Sequence, residues 1–226
     1  MKKNLAQQYT DGIAETFANS LGEMNRSSVE DFKRAIGLIL GKKERHAIDL
    51  GCGPGDMISH LHSLGHKCMG IDSSSDMVAL ARKNSHAHII HGDFSKTLLK
   101  PNEVDLVISK WAMQTAEHIE PIYREVVRII RKGGHFVFLV VHPFRQFIEK
   151  KNPQADYFKK EIVHSEIFNR EITVQEPSHT MAEYLSDYFL YHFTVCSIRE
   201  AAEFPAAERI GEWNYPTYLI ITAQKK

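Results

Sequence analysis

The fold is decided by residues 46–65, which read HAIDLGCGPGDMISHLHSLG. Residues 46–50 form a short apolar run with one acidic interruption, which is typical of a buried β-strand. A turn with three glycines follows at 51–55, and apolar residues then recur at helical spacing. A strand, a glycine-rich turn and a helix in succession predict the start of a nucleotide-binding α/β domain, because the glycines let a ligand approach the main chain.

The same alternation of strands and helices continues outward from this stretch. Strands that alternate with helices predict a parallel sheet covered on both faces. Further strands are expected over 67–71, 87–91, 104–109, 136–141, 192–198 and 217–222. Helices are expected over 29–40, 57–64, 75–82, 119–130 and 179–190, with a turn at 132–134 before the fifth strand. After Pro143 the pattern breaks, and 162–167 could pair with 172–175 as a hairpin.

Composition excludes several classes of function. Lys plus Arg and Asp plus Glu both number 28 in the 226 residues, so the neutral chain has no bulk attraction for nucleic acid. The three cysteines are odd in number and widely spaced, which favours reduced thiols in the cytoplasm over a disulfide framework. No apolar run is long enough for a signal core or a membrane span, so we expect a cytoplasmic protein with no membrane partner.

Polar side chains follow the predicted strands at one edge of the sheet. Asp72, Asp93 and Ser109 close the second, third and fourth strands, and the carboxyl ends of parallel strands are where ligands bind. The turn at 51–55 is neither a P-loop nor a Gly-x-Gly-x-x-Gly fingerprint. Asp56 at the start of the helix would oppose a pyrophosphate, so a ligand without phosphate is the better match.

Several segments together resemble the motifs of class I S-adenosylmethionine-dependent methyltransferases. They are residues 47–55, 70–74, 92–94, 105–109 and 129–134, in the family's order. Lys132 stands where the family often has proline. The resemblance implies a doubly wound α/β fold, with a seven-stranded, mostly parallel sheet whose last strand is antiparallel, helices on both faces and an insertion after strand five. It also implies one domain over 1–226, with a helical lid at 1–40 and an insertion at 143–178 over the acceptor site.

The resemblance further implies that the cofactor is S-adenosylmethionine, with S-adenosylhomocysteine as the product. Asp49 would hold the amino group of the methionine portion through water, and Ser109 and Lys110 would line the site beside the methyl group. The turn would approach the methionine portion through the backbone of Gly51, Cys52, Gly53 and Gly55.

For the adenosine portion, the resemblance assigns Asp72 to the ribose hydroxyls. Ser73 and Met77 would border the adenine. Asp93 would meet the adenine amino group, with Phe94 beside the ring.

Two further predictions concern the region around the transferred methyl group. Residues 9–17 resemble a lid of small-molecule methyltransferases, in which Tyr9 would close over the cofactor; packing of Tyr9 into the core is the alternative. His142 after strand five is the candidate general base, and the alternative is a histidine that caps the strand end by hydrogen bonding. Trp111, Met113 and Gln114 are candidates to shape the acceptor pocket.

The sequence therefore predicts in-line methyl transfer to an O, N, S or C nucleophile of a small molecule. The alternatives are a nicotinamide-dependent oxidoreductase, a non-catalytic cofactor-binding protein and a macromolecular acceptor. Residues 109–112 lack the Asn/Asp-Pro-Pro-Tyr-like motif of amino-methylating members, which disfavours DNA. No metal site is expected, because no carboxylate or cysteine completes the pairs His60/His62 and His86/His88 at ligand spacing. The oligomeric state stays open.

Overall fold

A computed structural model of the chain describes residues 8–9, 12–20, 26–150, 154–167, 172–203 and 214–226. Parts of the expected lid (1–7, 10–11 and 21–25) and the turn of the expected hairpin lie outside the described residues. The helices are α1 (Ile13–Ser20), α2 (Arg26–Ile39), α3 (Asp56–Ser63), α4 (Ser75–Ser85), α5 (Glu120–Ile129), α6 (Pro143–Glu149), α7 (Met181–Tyr184) and α8 (Asp187–His192). The strands are β1 (His46–Leu50), β2 (Lys67–Asp72), β3 (Ile89–His91), β4 (Val104–Lys110), β5 (Ile130–Val141), β6 (Ile162–Ile167), β7 (Ile172–Pro177), β8 (Phe193–Ala201) and β9 (Tyr218–Lys225).

Seven of the strands form one sheet in the order β3-β2-β1-β4-β5-β9-β8. The pairs from β3 to β5 are parallel, whereas β9 runs antiparallel to both β5 and β8. This confirms the predicted mostly parallel sheet with an antiparallel last strand. The strand order reverses between β1 and β4, and in open α/β sheets a crevice for ligands opens at such a point.

The two faces of the sheet bury separate apolar cores. Alternate residues of β5 point to opposite faces, as the period of a strand requires. Phe136 and Phe138 join the core that includes α5 and α8, and Val137 and Leu139 join the core that includes α2, α3 and α4. Burial on both faces explains why the central strands read as continuous apolar runs, and it confirms the prediction of helices on both sides.

Two local expectations were wrong. The single helix expected over 179–190 is the pair α7 and α8, because Ser186 caps a new helix by accepting a hydrogen bond from Phe189 N. The turn expected at 132–134 is a bulge inside β5, where the register with β4 jumps from Val104 opposite Ile130 to Leu106 opposite His135.

The insertion after β5 consists of α6 and the antiparallel hairpin β6–β7. Val174 of β7 packs against Tyr9, Ile13 and Phe17. The side chain of Gln8 pairs with the backbone of Gln175 in both directions, at 3.1 Å and 2.8 Å. Residues 8–9 with α1 and the β6–β7 hairpin thus form one layer, which we call the cover.

Candidate functional site

A cleft with about 600 Å³ of empty space opens at the carboxyl ends of β1, β2 and β4. One wall is the turn after β1, and residues of the cover line the cleft as well. The lining residues are Tyr9, Phe17, Gly51, Cys52, Gly53, Pro54, Asp56, Asp72, Ser73, Met77, Phe94, Lys110, Trp111, Ala112 and Thr115.

The turn after β1 is fixed by backbone hydrogen bonds and by close packing. Gly51 N and Cys52 N both donate to Ile71 O, at 2.8 Å and 3.1 Å, which joins the turn to β2. Gly51 has a φ of 73°, and a Cβ on it would lie 2.2 Å from Cβ of Ala112. Only glycine fits this position without strain, so the main chain of the turn is left open to the cleft.

The Asp72 carboxylate closes β2 at the mouth of the turn. Its Oδ2 accepts a hydrogen bond from Gly53 N at 2.8 Å, and its Oδ1 accepts one from Ser74 N at 2.9 Å. Burial raises the pKa of Asp72, against the lowering effect of these backbone N–H groups. Each oxygen keeps a lone pair, so the carboxylate can accept hydrogen bonds from a ligand with two hydroxyls.

Asp49 lies in β1 directly behind the turn. It is 1% exposed, and its Oδ1 has no hydrogen-bond partner among the described residues. Burial raises the pKa of Asp49 to about 8, and the neighbouring Asp56 carboxylate adds to this shift. A buried carboxyl oxygen without a donor is costly, so the site favours a ligand that brings a donor or a positive charge.

An ion pair lies in the lining of the cleft on the β4 side. Nζ of Lys110, the last residue of β4, is 2.7 Å from Oδ2 of Asp56, the first residue of α3. The Lys110 side chain is 9% exposed and that of Asp56 is 36% exposed. The cleft therefore has a carboxylate at its β2 end and a pair of opposite charges at its β4 end.

Aromatic side chains enclose the cleft from the side of the cover. The rings of Tyr9 and Phe17 meet edge to face at 5.2 Å, and Ser74 Oγ donates to Tyr9 O at 2.6 Å. Burial, with smaller contributions from Glu176 and Asp72, raises the pKa of the Tyr9 hydroxyl. Trp111 has a φ of 55°, a strained conformation for so bulky a residue, and such strain concentrates at functional sites.

Comparison with known proteins shows what part of the chain is similar to. Residues 48–138 match the protein family described as a methyltransferase domain. Over these residues, which are fewer than half of the 226, the chain is similar to class I S-adenosylmethionine-dependent methyltransferases. The cofactor of this class is S-adenosylmethionine.

Parts of curated relatives are similar to the chain in sequence, and solved structures share its fold. A malonyl-[acyl-carrier protein] O-methyltransferase from Enterobacter lignolyticus is 32% identical over 40% of the chain and 37% of its own length. One from Pectobacterium atrosepticum is 28% identical over 59% of the chain and 55% of its own length. The chain thus spans about half or less of these relatives. An S-adenosylmethionine-dependent methyltransferase from Mesorhizobium loti shares the fold, with a TM-score of 0.68 at 21% identity over 85% of the chain and 96% of its own.

The residues of the methyltransferase domain fit this cofactor. The Asp72 carboxylate offers hydrogen-bond acceptors to the two ribose hydroxyls. Asp49 Oδ1, which has no hydrogen-bond partner among the described residues, suits the positive charges of the methionine portion. Of the predicted cofactor residues, the cleft brings together Tyr9, Gly51, Cys52, Gly53, Asp72, Ser73, Met77, Phe94 and Lys110. Their roles toward the ligand stay predictions.

Four predicted cofactor residues do not line the cleft. Asp49 lies behind the turn, and Gly55 is the N-cap of α3. Ser109 is buried and donates its hydroxyl to Leu50 O at 2.8 Å. Asp93 is exposed, and its Oδ1 accepts a hydrogen bond from Ser95 N at 2.7 Å. Any contact of Asp49 or Ser109 with a ligand would therefore run through other groups or through water.

The predicted general base, His142, needs correction. Its Nδ1 accepts a hydrogen bond from Phe144 N at 3.0 Å, which caps α6, and its Nε2 lies 2.7 Å from Oε1 of Glu200. His142 does not line the cleft, and both ring nitrogens are used where it stands. The structure therefore favours the alternative, a histidine that caps a strand end.

Sequence reasoning missed five lining residues, namely Phe17, Pro54, Asp56, Ala112 and Thr115. Pro54 and Asp56 adjoin the glycines of the turn, so their position could have been extended from the motif. Ala112 and Thr115 follow β4 and flank the predicted Met113 and Gln114, which are buried but do not line the cleft.

The described residues also show how the chain stands toward metal ions and membranes. In that part of the chain, no group of three or more His, Cys, Asp or Glu side chains is placed to hold a metal ion. No helix there is both long enough and apolar enough to cross a membrane.

Proposed function

We propose that the chain transfers a methyl group from S-adenosylmethionine to an O, N, S or C nucleophile of a small molecule. The observation that carries the proposal is the Asp72 carboxylate, fixed by Gly53 N and Ser74 N in the cleft beside the glycine turn. When bound, S-adenosylmethionine supplies an electrophilic methyl group on its sulfonium.

The residues of the chain would contribute mainly orientation and exclusion of water. Asp72 would hold the ribose, and the aromatic rings of Tyr9 and Phe17 would shield the reacting atoms from solvent. Burial raises the pKa of the Cys52 thiol, which argues against a nucleophilic thiolate in the turn. Since none of the described lining residues is a histidine, we assign no general base.

A small-molecule acceptor is supported by the aromatic side chains that line the cleft and by the neutral charge of the chain. The relatives act on different atoms. Two are named as O-methyltransferases of malonyl-[acyl-carrier protein], and another is a C-methyltransferase of ubiquinone and menaquinone biosynthesis. The proposal therefore leaves the atom that is methylated open.

Calorimetric titration with S-adenosylmethionine and with NADH tests the cofactor assignment. We expect the wild type to bind the first and not the second. Asp72→Asn, which keeps the size of the side chain, should weaken binding about 10-fold or more, since a charge-assisted hydrogen bond is lost. The matched control is Asp76→Asn in α4, a carboxylate outside the cleft lining. Binding of NADH alone, or of neither ligand, would reject the proposal in favour of its alternatives.

Turnover needs a second assay, because a cofactor-binding protein without activity would pass the first. Release of S-adenosylhomocysteine is followed with a panel of carboxylic acids, phenols, thiols, amines and activated carbon acids. Transfer to at least one class, reduced in Asp72→Asn, is the expected result. Tight cofactor binding with no transfer to any class would favour the non-catalytic alternative.

A further inference from the structure

A carboxyl group is buried in the cover, on the side that faces the cleft. Glu176 of β7 is 2% exposed, and its Oε1 accepts a hydrogen bond of 2.8 Å from Nε2 of Gln146 in α6. Residues two apart on a strand point to the same face, so Glu176 shares a face of the hairpin with Val174. Val174 packs against Tyr9 and Phe17, which line the cleft. The Glu176 carboxyl therefore lies directly behind the aromatic lining of the cleft.

The charged groups of α6 leave Glu176 without a counter-ion. Nε of Arg145 is 2.8 Å from Oε1 of Glu149, so this guanidinium is already paired. In the part of the chain that the structure describes, no Lys, Arg or His side chain forms an ion pair with Glu176. Burial and the nearby Glu149 charge raise the pKa of Glu176 to about 7, although Gln146 and Arg145 lower it. A buried carboxyl without a counter-ion is costly, and such groups beside a cleft are typical of functional sites.

The Tyr9 hydroxyl connects this carboxyl to the cleft. The side chain of Gln8 pairs with the backbone of Gln175, which places Tyr9 beside Glu176. Burial, and then the charges of Glu176 and Asp72, raise the pKa of the Tyr9 hydroxyl. Because Coulomb interactions weaken with distance, this hydroxyl lies near a carboxyl behind the lining and a carboxylate within the cleft.

The groups of α7 that face Glu176 carry no free positive charge. Burial, and then the Glu176 charge, raise the pKa of Tyr184, whose buried hydroxyl has no hydrogen-bond partner among the described residues. The Glu183 carboxylate is paired with Lys160 and with the ring of His179. Glu176 is thus surrounded by hydroxyl and amide groups, which leaves its carboxylate able to take up a proton.

We propose that Glu176 is the proton acceptor of the methyl transfer and acts through the Tyr9 hydroxyl on an alcohol or phenol acceptor. The inference rests on the proposed function, in which no general base is assigned, and deepens it. As the acceptor oxygen forms its bond to the methyl carbon, the carbon–sulfur bond breaks with its electron pair left on sulfur. The acceptor proton passes to the Tyr9 oxygen, and the Tyr9 proton passes to the Glu176 carboxylate.

This arrangement favours a neutral hydroxyl over a carboxylic acid. A hydroxyl must lose its proton during the transfer, and a base is most effective when its pKa lies near the working pH. A carboxylic acid is already ionised at neutral pH, so it needs no base. Its negative charge would also be opposed by Asp72 and Glu176.

Phenols of different acidity separate a proton-accepting role from a structural one. The acceptor panel includes phenols that keep their proton at about pH 8, each paired with a nitro-substituted analogue that is largely ionised there. We measure kcat for the wild type, Glu176→Gln, Tyr9→Phe and the double variant. Glu176→Gln keeps an oxygen that can accept the hydrogen bond from Gln146. The control is Glu161→Gln, which removes a carboxylate paired with Lys159 outside the cleft lining.

We expect Glu176→Gln to lower kcat about 100-fold or more for the phenols and less than about threefold for the ionised analogues. Binding of S-adenosylmethionine should not change. Tyr9→Phe should lose as much kcat, and the double variant no more, because the two residues act as one unit. Glu161→Gln should match the wild type.

The pH dependence of kcat gives a second signature. Glu176 accepts a proton only when it is ionised, so wild-type kcat for phenols should rise through pH 7 and then level off. This rise should be absent in Glu176→Gln. In Glu149→Gln it should move to lower pH, because a neighbouring negative charge is removed. Carbon-13 NMR of labelled glutamate carboxyls follows the same titration without turnover.

Several results would overturn the inference. They are equal losses for both kinds of phenol, loss of cofactor binding together with kcat, and no Glu176 resonance that titrates near pH 7. Transfer only to acceptors without a hydroxyl would also overturn it, while leaving the proposed function intact. Transfer to no acceptor at all would instead reject the proposed function, and the inference with it.

Discussion

The turn after β1 and the cover line the same cleft, but different interactions fix each of them in place. The turn is fixed by main-chain hydrogen bonds to β2 and by a contact with Ala112 that leaves no space for a side chain. The cover rests on a small apolar cluster, in which Val174 is the buried member, and on the pairing of Gln8 with Gln175. The comparison teaches that the glycine turn is part of the buried core, whereas the cover is a layer added to it.

The largest expected effect tests the turn. Gly51→Ala places a Cβ 2.2 Å from Cβ of Ala112, at a φ of 73° that L-residues rarely adopt. Strain and overpacking should lower the free energy of unfolding by roughly 2–5 kcal/mol. Urea denaturation followed by circular dichroism measures this loss.

Gly37→Ala is the matched control, because Gly37 lies within α2 and its added Cβ would meet nothing within 4 Å. Removing a helix-interior glycine should raise stability by roughly 0.5–1 kcal/mol. If Gly51→Ala were as stable as the wild type, the view of the turn as a close-packed part of the core would be wrong.

The sequence predicted most of the turn side of the site because its signals are local. The strands β1, β2 and β4 end in the quoted motifs, and their carboxyl ends meet at one edge in any parallel sheet. Asp72 could be placed from its strand end alone, whereas Lys110 was assigned from the resemblance to the methyltransferase motifs. The fold could be predicted for the same reason. Strands that are buried on both faces are continuous apolar runs, and such runs can be recognised in the sequence without knowledge of tertiary contacts.

The features of the site that the sequence did not predict depend on contacts between distant parts of the chain. Asp56 was read only as a residue that opposes phosphate, because its pairing with Lys110 spans 54 positions. Phe17 enters the cleft through its ring contact with Tyr9, which periodicity does not reveal. His142 was assigned from its place after β5, but the direction of its side chain is set by Phe144 N and Glu200.

An intermediate effect concerns the acidity of Asp49 behind the turn. Its pKa of about 8 leaves this carboxyl protonated in the free protein at pH 6.5. A bound ligand that brings positive charge favours the ionised form, so binding should release up to one proton. Affinity should therefore rise with pH, by up to about 10-fold per unit, and level off above pH 8.

Calorimetric titrations with S-adenosylmethionine at pH 6.5, in buffers of different ionisation enthalpy, count the protons released. Asp49→Asn copies the neutral carboxyl and should abolish the release. Equal proton release in the wild type and in Asp49→Asn would show that another group titrates and that Asp49 is not linked to binding.

The smallest expected effect tests the cover. Val174→Ala removes two methyl groups from the cluster that joins the hairpin to Tyr9, Ile13 and Phe17. Because the cover is a separate layer, the loss should appear as roughly 3–10-fold weaker cofactor binding, equivalent to about 1 kcal/mol.

The matched control is Val107→Ala in the middle of β4, where the side chain is fully buried in the core. This substitution should lower the free energy of unfolding by about 2 kcal/mol and leave the affinity for the cofactor unchanged. If Val174→Ala instead lowered global stability as much as Val107→Ala while sparing affinity, the cover would belong to the folding core, and the distinction between the two regions would fail.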